Sequence, residues 1–353
     1  MNGALADVLP ALQADLLAFL RTLEEVQQDL RFDDVGAAQA RLAQAGAPAL
    51  ARAAASLAAT DAGPADAALL ETLRLAVEHL VTADDVFRRT RDAASFGAAF
   101  IGARRHQCRA LELLYRRRLT LPLLEPYFRL GGPPPDDGHG CGIRHVAADG
   151  GRCEYSVYVP EYYDSAQHWP LILCLHGGYG HGEEYLWTWL RAARSRGYLL
   201  LAPKSRGPTW SIMAPEVDVP GVLAALDDIL ASHAVDPARV FLTGLSDGGT
   251  FSYLLGLAEA MRFAALAPVA GVLPPSADTV LRAGAGRDLP LHVVHGVHDS
   301  IFPVATTRST CALLERLGYD LAYTELPDWG HALTGHINET LLLPWFEART
   351  AAR

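Results

Sequence analysis

One serine in this chain stands between glycines at the end of an apolar run, in the order Gly244-Leu-Ser246-Asp-Gly248. The run Val240 to Thr243 predicts a buried strand, and Thr250 to Leu257 predicts a helix, so the serine would lie on a sharp turn between them. Glycines two residues before and after it leave room for that turn, because side chains there would collide with the strand and the helix. A serine held in this way could act as a nucleophile.

A serine hydroxyl attacks well only when a base removes its proton, and imidazole can do so near neutral pH. His331, in a loop after the last predicted strand, is the favoured base, with His336 at the start of the terminal helix as the alternative. Asp299 directly follows a predicted strand, so its carboxylate could hold and orient the imidazole. Asp328 is the alternative acid, but it lies too close to His331 along one turn to reach the far side of the ring. We predict a triad of Ser246, Asp299 and His331.

The elements around these residues alternate between short apolar runs and helical patterns. A hairpin over 142–147 and 154–159 is followed by predicted strands over 171–175, 198–202, 240–243, 263–269, 289–295 and 321–325. Helical patterns lie between most of them, and this alternation is typical of a doubly wound, mostly parallel sheet. We therefore predict an α/β fold over residues 141–353.

The chain before this region has a different pattern. Apolar residues spaced alternately by three and four predict one long helix with a continuous apolar seam, formed by Leu9, Leu12, Leu16, Phe19, Leu23, Val26 and Leu30. Residues 1–118 are predicted to form a helical bundle, and residues 119–140 a Pro/Gly-rich linker. The seam could be covered inside the bundle, mediate a homodimer, or belong to a cap over the site. We favour burial inside the bundle over an exposed interface between helices, and for any surface left exposed we favour the homodimer over the cap.

Composition excludes several classes of function. The formal net charge is -10 and Lys204 is the only lysine, which speaks against a nucleic-acid or membrane-surface partner. The five cysteines lack C-x-x-C spacing, which favours reduced thiols. Asp7 and Asp15 interrupt the first apolar stretch, which speaks against a signal peptide. No uncharged run is long enough to span a bilayer. We expect a soluble cytoplasmic protein.

The histidine-rich loops do not predict a metal or nucleotide site. His176 with His181, and His295 with His298, lack the carboxylate partners of a helical metal motif. The loop Gly177-Gly-Tyr-Gly-His-Gly182 lacks the G-K-[ST] ending of a phosphate-binding loop. We expect neither a metal nor a cofactor.

Four motifs together resemble the α/β-hydrolase superfamily: His176-Gly177-Gly178, Gly244-Leu-Ser246-Asp-Gly248-Gly249, His295-Gly-Val-His-Asp299 and Gly330-His331. Within it the chain looks most like bacterial esterases grouped with carboxylesterases, phospholipase-like acyl hydrolases and polyhydroxyalkanoate depolymerases, over residues 141–353. The resemblance implies an α/β-hydrolase fold and ester hydrolysis through an acyl-enzyme. It also implies an oxyanion hole formed by the backbone N–H groups of Gly178 and Asp247, with Tyr179 as second choice.

Substrate specificity is less well determined by the sequence. Trp187, Trp210, Met213 and Phe302 lie on loops that follow predicted strands and suggest an apolar acyl or aryl pocket for a small-molecule or lipid-like ester, although each could equally belong to the core. The same groups could cleave a thioester. A peptidase that resembles prolyl oligopeptidase is disfavoured, because the N-terminal extensions of such peptidases are usually β-propellers, whereas the periodicity here is helical. A non-catalytic binding protein on the same fold should have lost a member of the triad.

Overall fold

The computed structural model describes residues 4–28, 30–32, 34–61, 63–90, 93–129, 141–331 and 335–350. The chain divides into two compact units, Met1–Gly131 and Gly132–Arg353. The Pro/Gly-rich part of the predicted linker, residues 130–140, lies outside the described residues.

The first unit is helical, as predicted. Its α-helices are α1 (Ala4–Gln28), α2 (Val35–Arg41), α3 (Ala47–Ala58), α4 (Ala67–Arg89) and α5 (Ala93–Arg116). The sequence around Gly46 predicts a break, but the chain stays helical there through a π-turn at Leu42–Gly46. A Cβ at Gly46 would lie 2.8 Å from Leu42 Cδ1 and 3.3 Å from Phe19 Cδ2, so the glycine lets this turn pack closely against α1.

The predicted apolar seam is covered by the chain itself; six of its residues lie on α1, and Leu30 follows the end of that helix at Gln28. All seven seam residues are buried, with exposed fractions of 0 to 4%. Helix α1 packs mainly against α3 and the π-turn of the same unit. The seam is therefore part of the bundle core, and the surface that motivated the homodimer prediction is not exposed. A homodimer is not supported.

The segment after α5 also packs onto the first unit, although the sequence analysis assigned most of it to the linker. It forms two 3-10 turns, Arg118–Thr120 and Glu125–Phe128. The Tyr127 hydroxyl donates a 2.8 Å hydrogen bond to Glu24 of α1, and the Leu123 N–H donates to Gln13 at 3.0 Å. Within the described part of the chain, no helix is long and apolar enough to cross a membrane.

The second unit is built on one eight-stranded sheet with the order β1-β2-β4-β3-β5-β6-β7-β8. Strand β2 is antiparallel to both β1 and β4, and the remaining pairs are parallel. The strands are β1 (Gly142–Val146), β2 (Tyr155–Val159), β3 (Trp169–Leu175), β4 (Leu199–Pro203), β5 (Val235–Leu245), β6 (Ala265–Val269), β7 (Leu291–Gly296) and β8 (Leu321–Leu326). This confirms the predicted α/β-hydrolase fold.

The helices of the second unit connect and flank these strands. They are α6 (Gly182–Arg196), α7 (Val219–Ser232), α8 (Asp247–Ala258), α9 (Asp278–Arg282), α10 (Val304–Arg316), α11 (Gly335–Ile337) and α12 (Leu343–Thr350). The central strands β3 and β5 are apolar and buried over most of their length, as in parallel sheets covered by helices on both faces. Parallel strands end at the same edge of a sheet, so the loops after β3, β5, β7 and β8 meet there.

Candidate functional site

Ser246 lies on a sharp turn between β5 and α8. Its backbone has φ 58° and ψ -119°, a conformation that residues with a side chain rarely adopt. The Ser246 N–H donates to Val269 O of the adjacent strand at 2.9 Å, which fixes the turn against the sheet. A Cβ at Gly244 would collide with the backbone of Gly248, and one at Gly248 with the backbone of Leu175. The two glycines are therefore required for this conformation.

A chain of two hydrogen bonds runs from Ser246 through His331 to Asp299. The Nε2 atom of His331 lies 2.8 Å from Ser246 Oγ, and its Nδ1 atom lies 2.7 Å from Asp299 Oδ2. Because a carboxylate only accepts, the proton belongs on Nδ1, and the lone pair of Nε2 faces the serine hydroxyl. This arrangement allows the imidazole to take a proton from the serine.

Asp299 is held in place by the loop that follows it. Its Oδ1 atom accepts hydrogen bonds from the N–H groups of Ile301 and Phe302, both at 2.8 Å. Burial raises the pKa of the Asp299 carboxyl, but the hydrogen bond from His331, the electrostatic attraction to that ring and the two backbone donors together lower the pKa more, and the net shift is downward. Asp299 therefore stays charged beside His331 at neutral pH.

A second histidine, His295, supports Asp299 from the end of β7. It is fully buried, and its Nε2 atom lies 2.8 Å from Phe302 O and 3.3 Å from Asp299 Oδ2. Its Nδ1 atom lies 3.0 Å from the Thr307 hydroxyl. Burial lowers the pKa of His295, so the ring is neutral. The sequence carries only one signal of this contact, the four-residue spacing of His295 and Asp299, and that spacing alone does not predict it.

The alternative acid and base lie elsewhere. Asp328 is exposed to solvent, whereas the acceptor at His331 Nδ1 is Asp299. His336 is exposed on α11, and its ring stacks on Trp329 with 6.2 Å between centroids. The structure thus brings the three predicted residues together and leaves both competitors out.

The loop after β3 passes directly beside the serine, because a Cβ at Gly177 would lie 3.4 Å from Ser246 Cβ. Among the described residues, neither the Gly178 N–H nor the Asp247 N–H has a hydrogen-bond acceptor. Both N–H groups could therefore donate hydrogen bonds to an anion. The Tyr179 N–H instead donates to Pro208 O at 2.7 Å, so this second-choice donor is already engaged. Tyr179 has a φ of 58°, and its side chain is 69% exposed.

Two histidines that could suggest a metal site have structural contacts. His176 is buried; its Nδ1 atom lies 2.7 Å from Gly177 O, and its Nε2 atom accepts from the Ser205 N–H at 3.1 Å. Burial lowers the pKa of His176 to about 4. His181 caps α6 by accepting from the Glu183 N–H at 3.4 Å. No group of three His, Cys, Asp or Glu residues in the described ranges could hold a metal ion.

The four predicted substrate-binding residues have different surroundings. Trp210 is only 2% exposed, and its ring stacks on Phe251 at 5.0 Å, so it supports the core and does not form an open wall. Met213 is 78% exposed, and Trp187 is half-buried on α6. Phe302 is half-buried, with its ring 5.5 Å from that of His331. The Phe302 ring thus contacts His331, the predicted base.

Comparisons with known proteins agree with this fold. Residues 222–340 match the phospholipase/carboxylesterase family model. A protein of Aspergillus terreus named "Probable feruloyl esterase C" is 27% identical over 177 residues, which are 47% of this chain and 63% of that protein. Acyl-protein thioesterase 1 of Gibberella zeae is 34% identical over 99 residues, which are 27% of this chain and 42% of that protein.

Among solved structures, the acetyl xylan esterase of Aspergillus awamori is similar with a TM-score of 0.49 and 16% identity, over 58% of this chain and 99% of that one. The match to the Aspergillus terreus protein covers less than two thirds of that protein's length. The family-model match lies entirely within the second unit.

Proposed function

Because the second unit is an α/β-hydrolase domain related to esterases, we propose that it hydrolyses carboxylic esters through an acyl-enzyme formed on Ser246. The observation that carries this proposal is the hydrogen-bond chain of 2.8 Å and 2.7 Å from Ser246 through His331 to a buried, charged Asp299. The names of the relatives support the same class of reaction.

In the acylation step Ser246 Oγ attacks the ester carbonyl carbon while its proton moves to His331 Nε2. The carbonyl oxygen becomes an oxyanion, which the N–H groups of Gly178 and Asp247 stabilise. The C–O bond to the alcohol then breaks, and the alkoxide leaves with the proton from His331. Asp299 stabilises the imidazolium through Nδ1–H throughout this step.

In the deacylation step a water molecule replaces the alcohol. His331 takes one proton from the water as its oxygen attacks the acyl carbon, and the second tetrahedral intermediate expels Ser246 Oγ, which regains the proton. The products are a carboxylic acid and an alcohol. The chemistry needs no further group beyond these side chains and backbone donors.

The same steps would cleave a thioester, and the similarity to acyl-protein thioesterase 1 favours testing that second candidate. A peptidase of the prolyl-oligopeptidase kind is less well supported, because the described part of the first unit contains helices and no strand. We propose a small-molecule or lipid-like ester with an apolar acyl or aryl group as substrate, because Phe302 lies beside His331. We do not propose dimerisation through α1, because the apolar seam of that helix is buried within the chain.

The decisive experiment compares wild type with Ser246→Ala on p-nitrophenyl acetate, methyl ferulate and an acyl thioester. We expect kcat to fall by about a millionfold in the variant with an unchanged melting temperature, because triad residues act as a unit. Ser309→Ala, exposed on α10, is the matched control and should behave as wild type. Ester hydrolysis that survives in pure, folded Ser246→Ala would refute the proposal.

A further inference from the structure

Three consecutive residues, Pro208 to Trp210, each bond a different part of the candidate site. We call them the bracket. Pro208 O accepts from the Tyr179 N–H at 2.7 Å, and the Trp210 indole N–H donates to His176 O at 2.7 Å. Between them the Thr209 hydroxyl donates to Asp247 Oδ2 at 2.5 Å. The bracket thus joins the loop after β3 to the first residue of α8.

The bracket is itself anchored from behind by Asp218, which is 2% exposed. Its Oδ1 atom accepts from the Arg206 N–H at 2.8 Å, and its Oδ2 atom accepts from the Ser211 N–H at 2.8 Å and the Ser211 hydroxyl at 2.7 Å. These bonds fix the chain on both sides of Thr209. The position of the Thr209 hydroxyl is therefore set by the loop and not by Asp247.

The contact made by Thr209 lies where the two proposed oxyanion donors meet. A Cβ at Gly178 would lie 2.5 Å from Asp247 Oδ2 and 3.7 Å from Thr209 Oγ1, so the three residues converge on one point. A carboxylate this close would repel a developing oxyanion if its side chain rotated towards it. The hydrogen bond from Thr209 restricts that rotation, and it also holds the Gly178 loop against the start of α8.

We infer that Thr209 is a positioning residue for the oxyanion hole, where it holds the Asp247 carboxylate and thereby sets the spacing between the Gly178 and Asp247 N–H donors. This inference rests on the proposed function. Thr209 acts through Asp247 and makes no bond to the reacting atoms. Its effect should therefore appear in the transition state, where the oxyanion carries its charge, and not in the binding of the neutral ester.

The test compares wild type, Thr209→Val and Thr209→Ser by steady-state kinetics and by affinity for a methaneboronic-acid inhibitor that forms a tetrahedral anion on Ser246. In Thr209→Val, which keeps the shape but lacks the hydroxyl, we expect kcat to fall about tenfold to a hundredfold with KM nearly unchanged. The inhibitor should lose affinity by a similar factor. Thr209→Ser keeps the hydroxyl and should retain most of the activity.

Thr279→Val, an exposed threonine on α9, is the control for the substitution itself. Three results would overturn the inference: Thr209→Val within twofold of wild type, a change confined to KM, or Thr209→Ser as impaired as Thr209→Val. If the wild type hydrolyses no ester, the proposed function and this inference fall together. If Ser246→Ala abolishes an activity that Thr209→Val leaves intact, only the inference fails.

Discussion

Replacing Asp299 by Asn tests the proposed roles of the acid and the base in one step. The amide oxygen of Asn should stay where Oδ1 now lies, because it accepts two backbone N–H bonds there, each at 2.8 Å. Turning the amide around would lose both, at about 1 kcal/mol each, and would point an NH2 group at two N–H donors. The NH2 group should therefore face His331 Nδ1.

That orientation reverses the polarity of the hydrogen bond to the imidazole. His331 Nδ1 must then accept, so the proton moves to Nε2, and no lone pair is left for the Ser246 hydroxyl. We expect kcat to fall about ten-thousandfold, equivalent to about 5 kcal/mol of transition-state stabilisation. The fold should persist, because Asn has nearly the same shape as Asp.

The assay is stopped-flow release of p-nitrophenol, which measures acylation of Ser246 directly. Asp328→Asn is the matched control, since it removes the carboxylate of the alternative acid, which is exposed. We expect that variant to acylate at the wild-type rate within about twofold. An Asp299→Asn rate within tenfold of wild type, or a larger loss in Asp328→Asn, would show that the reasoning about the tautomer is wrong.

Three further predictions concern pH and stability. Because the pKa of Asp299 is lowered, its carboxylate should stay charged between roughly pH 5 and 8, so protonation of Asp299 should contribute nothing to the pH dependence of kcat/KM in that range. A decline of the wild-type kcat/KM below neutral pH that disappears in Asp299→Asn would contradict this prediction. Gly244→Ala should lower the free energy of unfolding by roughly 3 kcal/mol or prevent folding, because the new Cβ would collide with the backbone of Gly248. Gly36→Ala is the control, since that position has open space around it, and urea titrations of both variants should show that only Gly244→Ala is destabilised. Burial lowers the pKa of His292 to about 4 from its ordinary 6.5, so below pH 6.5 the unfolded chain binds a proton at this residue that the folded protein does not. His292 should therefore account for about 3 kcal/mol of the stability lost as pH drops to 4, beside the share of His176, whose pKa burial lowers in the same way. In urea titrations at pH 7 and pH 4.5, His292→Leu should lose about 2 kcal/mol less than wild type between the two pH values, and an equal loss would rule His292 out as a source.

The fold of the second unit and the grouping of Ser246, Asp299 and His331 could be predicted because they depend on local patterns. Apolar runs of strand length set the sheet, and a residue just after a parallel strand must lie at the common edge. The order of the three residues along the chain then assigns acid and base.

Other features could not be predicted because they depend on loops without periodicity. Nothing in the sequence indicates that Pro208 O accepts a hydrogen bond from the Tyr179 N–H, which is why Tyr179 stands as the second choice of oxyanion donor in the sequence-based prediction. Aromatic residues in such loops are equally ambiguous: Trp210 proved to be buried, whereas Phe302 lies beside His331. The helical seam of α1 has the same ambiguity, because a three-four spacing specifies an apolar face but not what covers it.

The backbone of Ser246 has a consequence for how this position could change. A φ of 58° suits glycine, whereas a side chain at such a position costs roughly 1 to 3 kcal/mol. Ser246→Gly should therefore be inactive yet at least as stable as Ser246→Ala, despite the greater freedom of glycine in the unfolded chain. Folding favours glycine at this position, whereas the proposed nucleophilic attack requires serine. In a descendant that no longer needed the hydroxyl, glycine is the residue that selection for stability alone would fix.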